Sequence, residues 1–131
     1  MKNIKLNLRL LTLVIIMTLV SACATNNIKY NNKGYSVVNV HKSLSDVYNE
    51  SLRLIETGQA PSLAGETYAI NTNQKSNTKA LILAVNDNAP NDFIEVVMQK
   101  TSQDTTRLAV KYGKQGNSLK SATFISLIQE K

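Results

Sequence analysis

Two stretches of the chain repeat apolar residues at the spacing of an amphipathic helix. The first, SLSDVYNESLRLIETG, has Ser43 and Asp46 at capping-box spacing and Gly58 as a left-handed stop. Its predicted apolar face consists of Leu44, Val47, Tyr48, Ser51 and Ile55. The second, GNSLKSATFISLIQEK, begins at Asn117 or Ser118 and places on one face Phe124, Ile125 and Ile128. The chain therefore contains two helices that must bury one side.

Five shorter runs are rich in β-branched or alternating apolar residues, which predicts strands. They are YSVVNV, ETYAIN, KALILAV, FIEVVMQK and TRLAVKY, and they begin at residues 35, 66, 79, 93 and 106. The short TSQD link between the last two runs predicts a hairpin. The order is β-α-β-β-β-β-α. It predicts an α+β fold, an antiparallel sheet with two helices packed on one face, that is, a two-layer sandwich.

Strand alternation predicts which side chains point away from the helices. With Leu81, Leu83 and Val85 facing inward, Ile82 faces outward. The next two strands add Phe93, Val97 and Ala109 to the outward face. A contiguous apolar patch on an open sheet face is typical of an interface, so we predict a partner-binding face that comprises Ile82, Val97, Phe93 and Ala109. The alternative is that the two faces of one strand are exchanged.

The N-terminus has the pattern of a targeting segment. Three basic residues and no acid precede eleven uncharged residues, Leu10 to Val20, too few for the roughly 20 that span a bilayer. The following VSAC resembles the lipobox of bacterial lipoproteins. The resemblance implies cleavage between Ala22 and Cys23, and lipid on the Cys23 thiol and new amino group. A plain secretory signal or a single-pass anchor are the alternatives.

The predicted organisation is a signal peptide at 1–22, the lipidated Cys23 with a polar tether at 23–33, and one domain at 34–131. Extended, the ten residues ATNNIKYNNK would reach at most about 35 Å. Under the sorting rule of enterobacterial lipoproteins, Ala24 favours the outer membrane, with the domain facing the periplasm.

Charge and composition argue against several function classes. Of fifteen basic residues three lie before Cys23, which leaves twelve against nine acids, without a basic run. Nucleic acid is therefore not an expected partner. Cys23 is the only cysteine and His41 the only histidine, so a disulfide, a cysteine nucleophile and a histidine metal cluster are excluded from the domain.

The remaining candidate chemistry is weak. His41 could act as a lone base, but a surface role suits the end of a strand. Asp87 and Asp92, with the asparagines around them, could attract Ca²⁺, although their spacing matches no EF-hand and suits an ordinary turn. The chain has no Gly-rich phosphate loop and no Gly-x-Ser-x-Gly elbow. We therefore expect no enzyme activity, no cofactor and no metal.

The segments SLSDVYNESLRLIE and TRLAVKYGKQGNSLKSATFISLI resemble a family of small bacterial lipoproteins known only as a domain of unknown function. The family's tail pattern is matched by Gly113, Gly116, Ser121 and Ile125, but Asn117 stands where an acid is usual. Asparagine also caps a helix, so the departure is compatible with the fold. The resemblance implies a fold and no activity.

The expected function is that of a lipid-anchored, non-catalytic envelope protein at the periplasmic face of the outer membrane. Its partners would be the membrane, through the lipid on Cys23, and another envelope protein or a second copy of itself. An accessory lipoprotein of a secretion or envelope-assembly machine is the alternative. A cell-wall or lipid-modifying enzyme is the third hypothesis.

Overall fold

A computed structural model describes residues 27–62 and 67–130. Within these residues, six antiparallel strands form one sheet in the order β1-β2-β6-β5-β4-β3, and two helices pack on it. The predicted fold class and element order are confirmed, with one short strand added at the start. The elements are β1 (Lys29–Tyr30), β2 (Ser36–Val40), α1 (Leu44–Glu56), β3 (Ala69–Lys75), β4 (Lys79–Asn86), β5 (Ala89–Ser102), β6 (Thr105–Tyr112) and α2 (Ser118–Gln129).

Both helices begin at the residues that the sequence indicates. The Ser43 hydroxyl accepts a hydrogen bond from the Asp46 backbone N–H at 3.2 Å, and the Asn117 side chain accepts one from the Lys120 N–H at 3.0 Å. Each bond satisfies one of the free N–H groups of a first helical turn. Asn117 therefore caps α2 without the acid that the resemblance leads one to expect.

β5 is longer than predicted, because the segment expected to form a loop before it is a tight hairpin. Asn86 pairs with Ala89 across the turn, and the Asn86 side chain accepts from the Asn88 N–H at 3.0 Å. Pro90 is tolerated in β5 because the pairing with β6 begins only at Ile94.

The hydrophobic core lies between the helices and one face of the sheet. Phe124 and Leu54 enter it from the helices, and Ile82, Met98 and Leu108 enter it from the central strands, all at most 1% exposed. The Ser36 and Ser121 hydroxyls form a buried hydrogen bond of 2.6 Å between β2 and α2. The sheet and helices thus share one apolar layer with a polar link at its edge.

The predicted orientation of β4 is wrong. Ile82 is 0% exposed in the core, with Ala80 and Ala84 buried beside it. Leu81 and its alternate neighbours are only partly covered on the opposite face. β4 is apolar on both faces, so hydrophobicity does not distinguish them, and cross-strand pairing sets the orientation. Ile82 pairs with Val96, which is itself buried.

The folded domain begins before residue 34. Lys29 and Tyr30, expected in the tether, pair with β2, and Ile28 packs against the core. Gly116 comes so close to Gly34 that a Cβ on Gly116 would lie 2.7 Å from the Gly34 Cα. The N-terminal strand is thereby attached to the loop before α2. The predicted signal peptide, Ala22 and Cys23 lie outside the described residues.

Candidate functional site

The side of the sheet opposite the helices, which we name the helix-free face, holds most of the predicted binding residues. Val97, Phe93 and Ala109 lie on it, whereas Ile82 does not. That this face binds a partner stays a prediction. From the three central strands it receives Leu81, Leu83, Val85, Phe93, Glu95, Val97, Arg107, Ala109 and Lys111.

An apolar row crosses the middle of the helix-free face. Val37 lies opposite Ala109, Ala109 opposite Val97, and Val97 opposite Leu81. Val97 is the most exposed of these, at 36%. It borders two open concavities, of about 590 Å³ toward the β3–β4 turn and about 330 Å³ toward the β1–β2 turn. Leu81 lines the first hollow, and Val37 and Ala109 line the second. Val97 therefore forms a ridge between the two, a shape that an apolar surface of a partner can contact.

A polar network lies beside this row. The Tyr35 hydroxyl donates to Glu95 Oε1 at 2.8 Å, and Lys111 Nζ is 5.3 Å from the centroid of the Tyr35 ring. Glu95 and Lys111 are also directly opposed in the β5–β6 ladder. Partial burial, then the hydrogen bond and the negative charge of Glu95, raise the pKa of Tyr35 to about 12. Tyr35 is therefore protonated at neutral pH and acts as a donor.

The helix-free face carries more positive than negative charge. Lys29, Lys79, Arg107 and Lys111 lie on it, and Glu95 is the acid that we find among its described strand residues. Lys29 belongs to this face because it pairs with Val37. Apolar side chains with cations around them favour a partner surface that is apolar at its centre and acidic at its rim.

The other sequence candidates are not brought together. His41 is exposed after β2. Asp92 accepts hydrogen bonds from the Tyr68 hydroxyl at 2.7 Å and from the Asn86 side chain at 3.4 Å, so its carboxylate already has protein donors. Asp87 is exposed in the turn. Over residues 27–62 and 67–130, no group of three His, Cys, Asp or Glu side chains is placed to hold a metal ion.

The sequence did not reveal the network of Tyr35, Glu95 and Lys111. Glu95 lies in β5 and Lys111 in β6, whereas Tyr35 directly precedes β2. Tyr35 reaches the other two only because β6 inserts between β2 and β5 in the sheet. Leu81 was not predicted on the helix-free face, and Ile82 was wrongly predicted there. Both errors have one cause, because reversing the orientation of β4 exchanges its inward and outward residues. The sequence indicates the outward face only for β5 and β6, because in these two strands charged residues alternate with apolar ones.

Comparison with known proteins identifies a family and no activity. The family model described as "Protein of unknown function (DUF3568)" matches residues 5–131. No curated protein matches the chain. Within the described ranges, none of the helices has the length and apolar character needed to cross a membrane.

Proposed function

Because the chain belongs to the DUF3568 family, whose function is unknown, we propose a function from its own residues. We propose a lipid-anchored, non-catalytic envelope protein at the periplasmic face of the outer membrane. Its helix-free face binds a partner protein. The observation that carries this function is the exposed Val97 ridge between two concavities, with cations around it.

The anchor is supported by the VSAC sequence, which resembles a lipobox, and by the short apolar run before it. Cys23 provides the thiol for a thioether with a diacylglycerol, and several acyl chains hold a protein in a bilayer durably. Wild-type protein should enter the detergent phase on phase separation, and Cys23→Ser should not. Processing and partitioning of Cys23→Ser like wild type would contradict lipidation at this residue.

Charge selects the kind of protein that fits. Two copies joined through the same face by a twofold axis would bring two positive surfaces together. Like charges across an interface oppose binding, so a second copy fits poorly. A different protein with an acidic, partly apolar surface would complement Lys29, Arg107 and the Val97 ridge. The partner we propose is therefore an acidic envelope protein.

The test is photocrosslinking in intact cells. A photoreactive amino acid in place of Val97 should give an adduct with a specific envelope protein, and one in place of Leu119 should not. Leu119 is the matched control because it is 77% exposed but lies on α2. Arg107→Glu should reduce the Val97 adduct, whereas Lys114→Glu, in the loop before α2 and outside the linings of both concavities, should leave it unchanged.

Two results would overturn the partner site. One is the same set of adducts from positions 97 and 119, and the other is an adduct from position 97 that is insensitive to Arg107→Glu. A homodimer as the main product would replace the partner protein by a second copy. The folding of each variant is checked by its thermal unfolding midpoint.

A further inference from the structure

The chain enters the domain at one particular end of the sheet. β1 runs antiparallel to β2, so the residues before Lys29 run toward the end of β2 that precedes α1. Asn27 accordingly lines a concavity together with Asn39, Thr101 and Arg107, close to the β5–β6 turn. We name this the anchor end. It contains the β3–β4 and β5–β6 turns and the start of α1.

The proposed lipid would hold the anchor end close to the bilayer, an inference that rests on the proposed function. Cys23 precedes Asn27 by four residues, which span at most about 14 Å when extended. Because Lys29 and Tyr30 are fixed in the sheet, the long tether expected from sequence is reduced to this short segment. The opposite end of β4 is farther from the anchor by the length of an eight-residue strand, roughly 27 Å.

Three exposed lysines lie around the β3–β4 turn of the anchor end. Lys75 and Lys79 flank the β3–β4 turn, and the Lys100 backbone N–H donates to the Thr78 carbonyl at 2.8 Å. We name them the turn lysines. Lys75 and Lys100 line a concavity of about 460 Å³ whose described lining residues include no acid. Among the residues that the structure describes, the acids of this end are Asp46, Asp104 and Glu130, and they lie outside that lining.

We propose that the turn lysines rest on anionic phospholipid headgroups of the membrane that holds the lipid. β1 and β4 are separated by three strands, so the lipid and the turn lysines make two attachments about 19 Å apart across the sheet. A single attachment would let the domain pivot about one point, whereas two leave only rotation about the line that joins them. That rotation is opposed because Lys79 lies on the helix-free face and Lys75, which pairs with the buried Ala80, lies on the other face. The helix-free face then stands beside the membrane and stays open to a partner.

The expected strength follows from the charge. One lysine near an anionic surface contributes about fivefold to the ratio of docked to undocked domain, so three contribute at most about a hundredfold. The acids Asp46, Asp104 and Glu130 of the same end reduce this factor. This contribution falls as ionic strength rises. The lipid holds the protein on the vesicle in both states, so orientation is the quantity to measure.

The experiment uses the full lipidated protein in vesicles. Asn77→Cys, in the β3–β4 turn, and Asn88→Cys, at the opposite end of β4, each receive a fluorescent donor, and a headgroup-labelled lipid is the acceptor. With phosphatidylethanolamine and phosphatidylglycerol, position 77 should show high energy transfer and position 88 low transfer. With phosphatidylcholine alone, transfer from position 77 should fall.

Charge reversal distinguishes the effect of the turn lysines on orientation from the effect of the net charge of the protein. Changing all three to Glu should lower transfer from position 77 on anionic vesicles to the phosphatidylcholine value. The matched control, Lys33→Glu, Lys114→Glu and Lys120→Glu, changes the net charge equally and should leave transfer unchanged. Equal transfer on both lipids, no effect of the turn-lysine change, or higher transfer from position 88 would each overturn the proposal.

Failure of the anchor itself is recognised separately. If the thiol of Cys23 carries lipid, a thiol-reactive dye cannot label protein that lacks an introduced cysteine. Labelling of that protein, or its loss from the vesicles, would contradict the proposed function. Retention on the vesicles without a preferred orientation would contradict only the contact of the turn lysines with headgroups.

Discussion

Replacing Ile82 by Ala tests the orientation of β4, and with it the composition of the helix-free face. Ile82 is 0% exposed and pairs with the buried Val96, whereas Leu81, the next residue, points to the other face and is only partly covered. Isoleucine and leucine each lose three carbon atoms on change to alanine. Leu81→Ala is therefore a matched control for size, strand and position along the sheet.

The magnitudes follow from burial. Three buried carbon atoms are worth about 2.4 kcal/mol in transfer from water, at about 0.8 kcal/mol each. The cavity left in a packed core adds to this, so Ile82→Ala should lower the free energy of unfolding by about 3–4 kcal/mol. Leu81→Ala removes partly hydrated surface and leaves no enclosed cavity, so its cost should be about 1 kcal/mol.

Urea denaturation of the chain without its first 23 residues measures both variants. A domain of this size loses about 1–3 kcal/mol of stability per molar urea, so Ile82→Ala should lower the midpoint by about 1–4 M. Leu81→Ala should lower it by under about 1 M. Equal shifts, or a larger shift for Leu81→Ala, would refute the assigned faces of β4. Val97→Lys, at an exposed position, should also lower the midpoint by under about 1 M.

Three further predictions concern other parts of the domain. Gly116→Ala should cost at least about 2 kcal/mol of stability, since its Cβ would meet the β1–β2 turn at a positive φ of 82°, while Gly58→Ala, at φ 73° without a backbone clash, should cost about 1 kcal/mol. Equal midpoints in urea would contradict this. In the same assay, Ser121→Ala should destabilise the domain by about 1 kcal/mol more than Ser36→Ala. Ser121→Ala leaves the buried Ser36 hydroxyl unpaired, whereas in Ser36→Ala the Ser121 hydroxyl can still donate to the Asn117 carbonyl. In an ultraviolet titration, Tyr35→Phe should remove a tyrosine of pKa about 12. Because the folded pKa exceeds the unfolded value of 10.0, Tyr35 contributes stability below pH 10.0, and this stability is lost as pH rises toward 12. A measured Tyr35 pKa near 10 would refute the burial and the hydrogen bond of its hydroxyl.

Local patterns in the sequence determined both helices and much of the sheet. A cap such as Ser43 or Asn117 acts within one helical turn, and the sequence therefore contains all that is needed to predict it. The outward faces of β5 and β6 were also predictable, because Glu95, Arg107 and Lys111 alternate with apolar residues that the core requires.

Tertiary structure alone decided the rest of the candidate site. β4 is apolar on both faces, and only its pairing with β5 and β3 directs Ile82 inward and Leu81 outward. β1 has two residues and no pattern of its own, and it forms because β2 offers it an edge. The contacts of Tyr35 with Glu95 and Lys111 depend on strands distant in sequence, so no local signal encodes them. Pairing between strands depends on contacts between residues distant in sequence throughout the core, whereas helix capping and strand alternation depend on neighbouring residues.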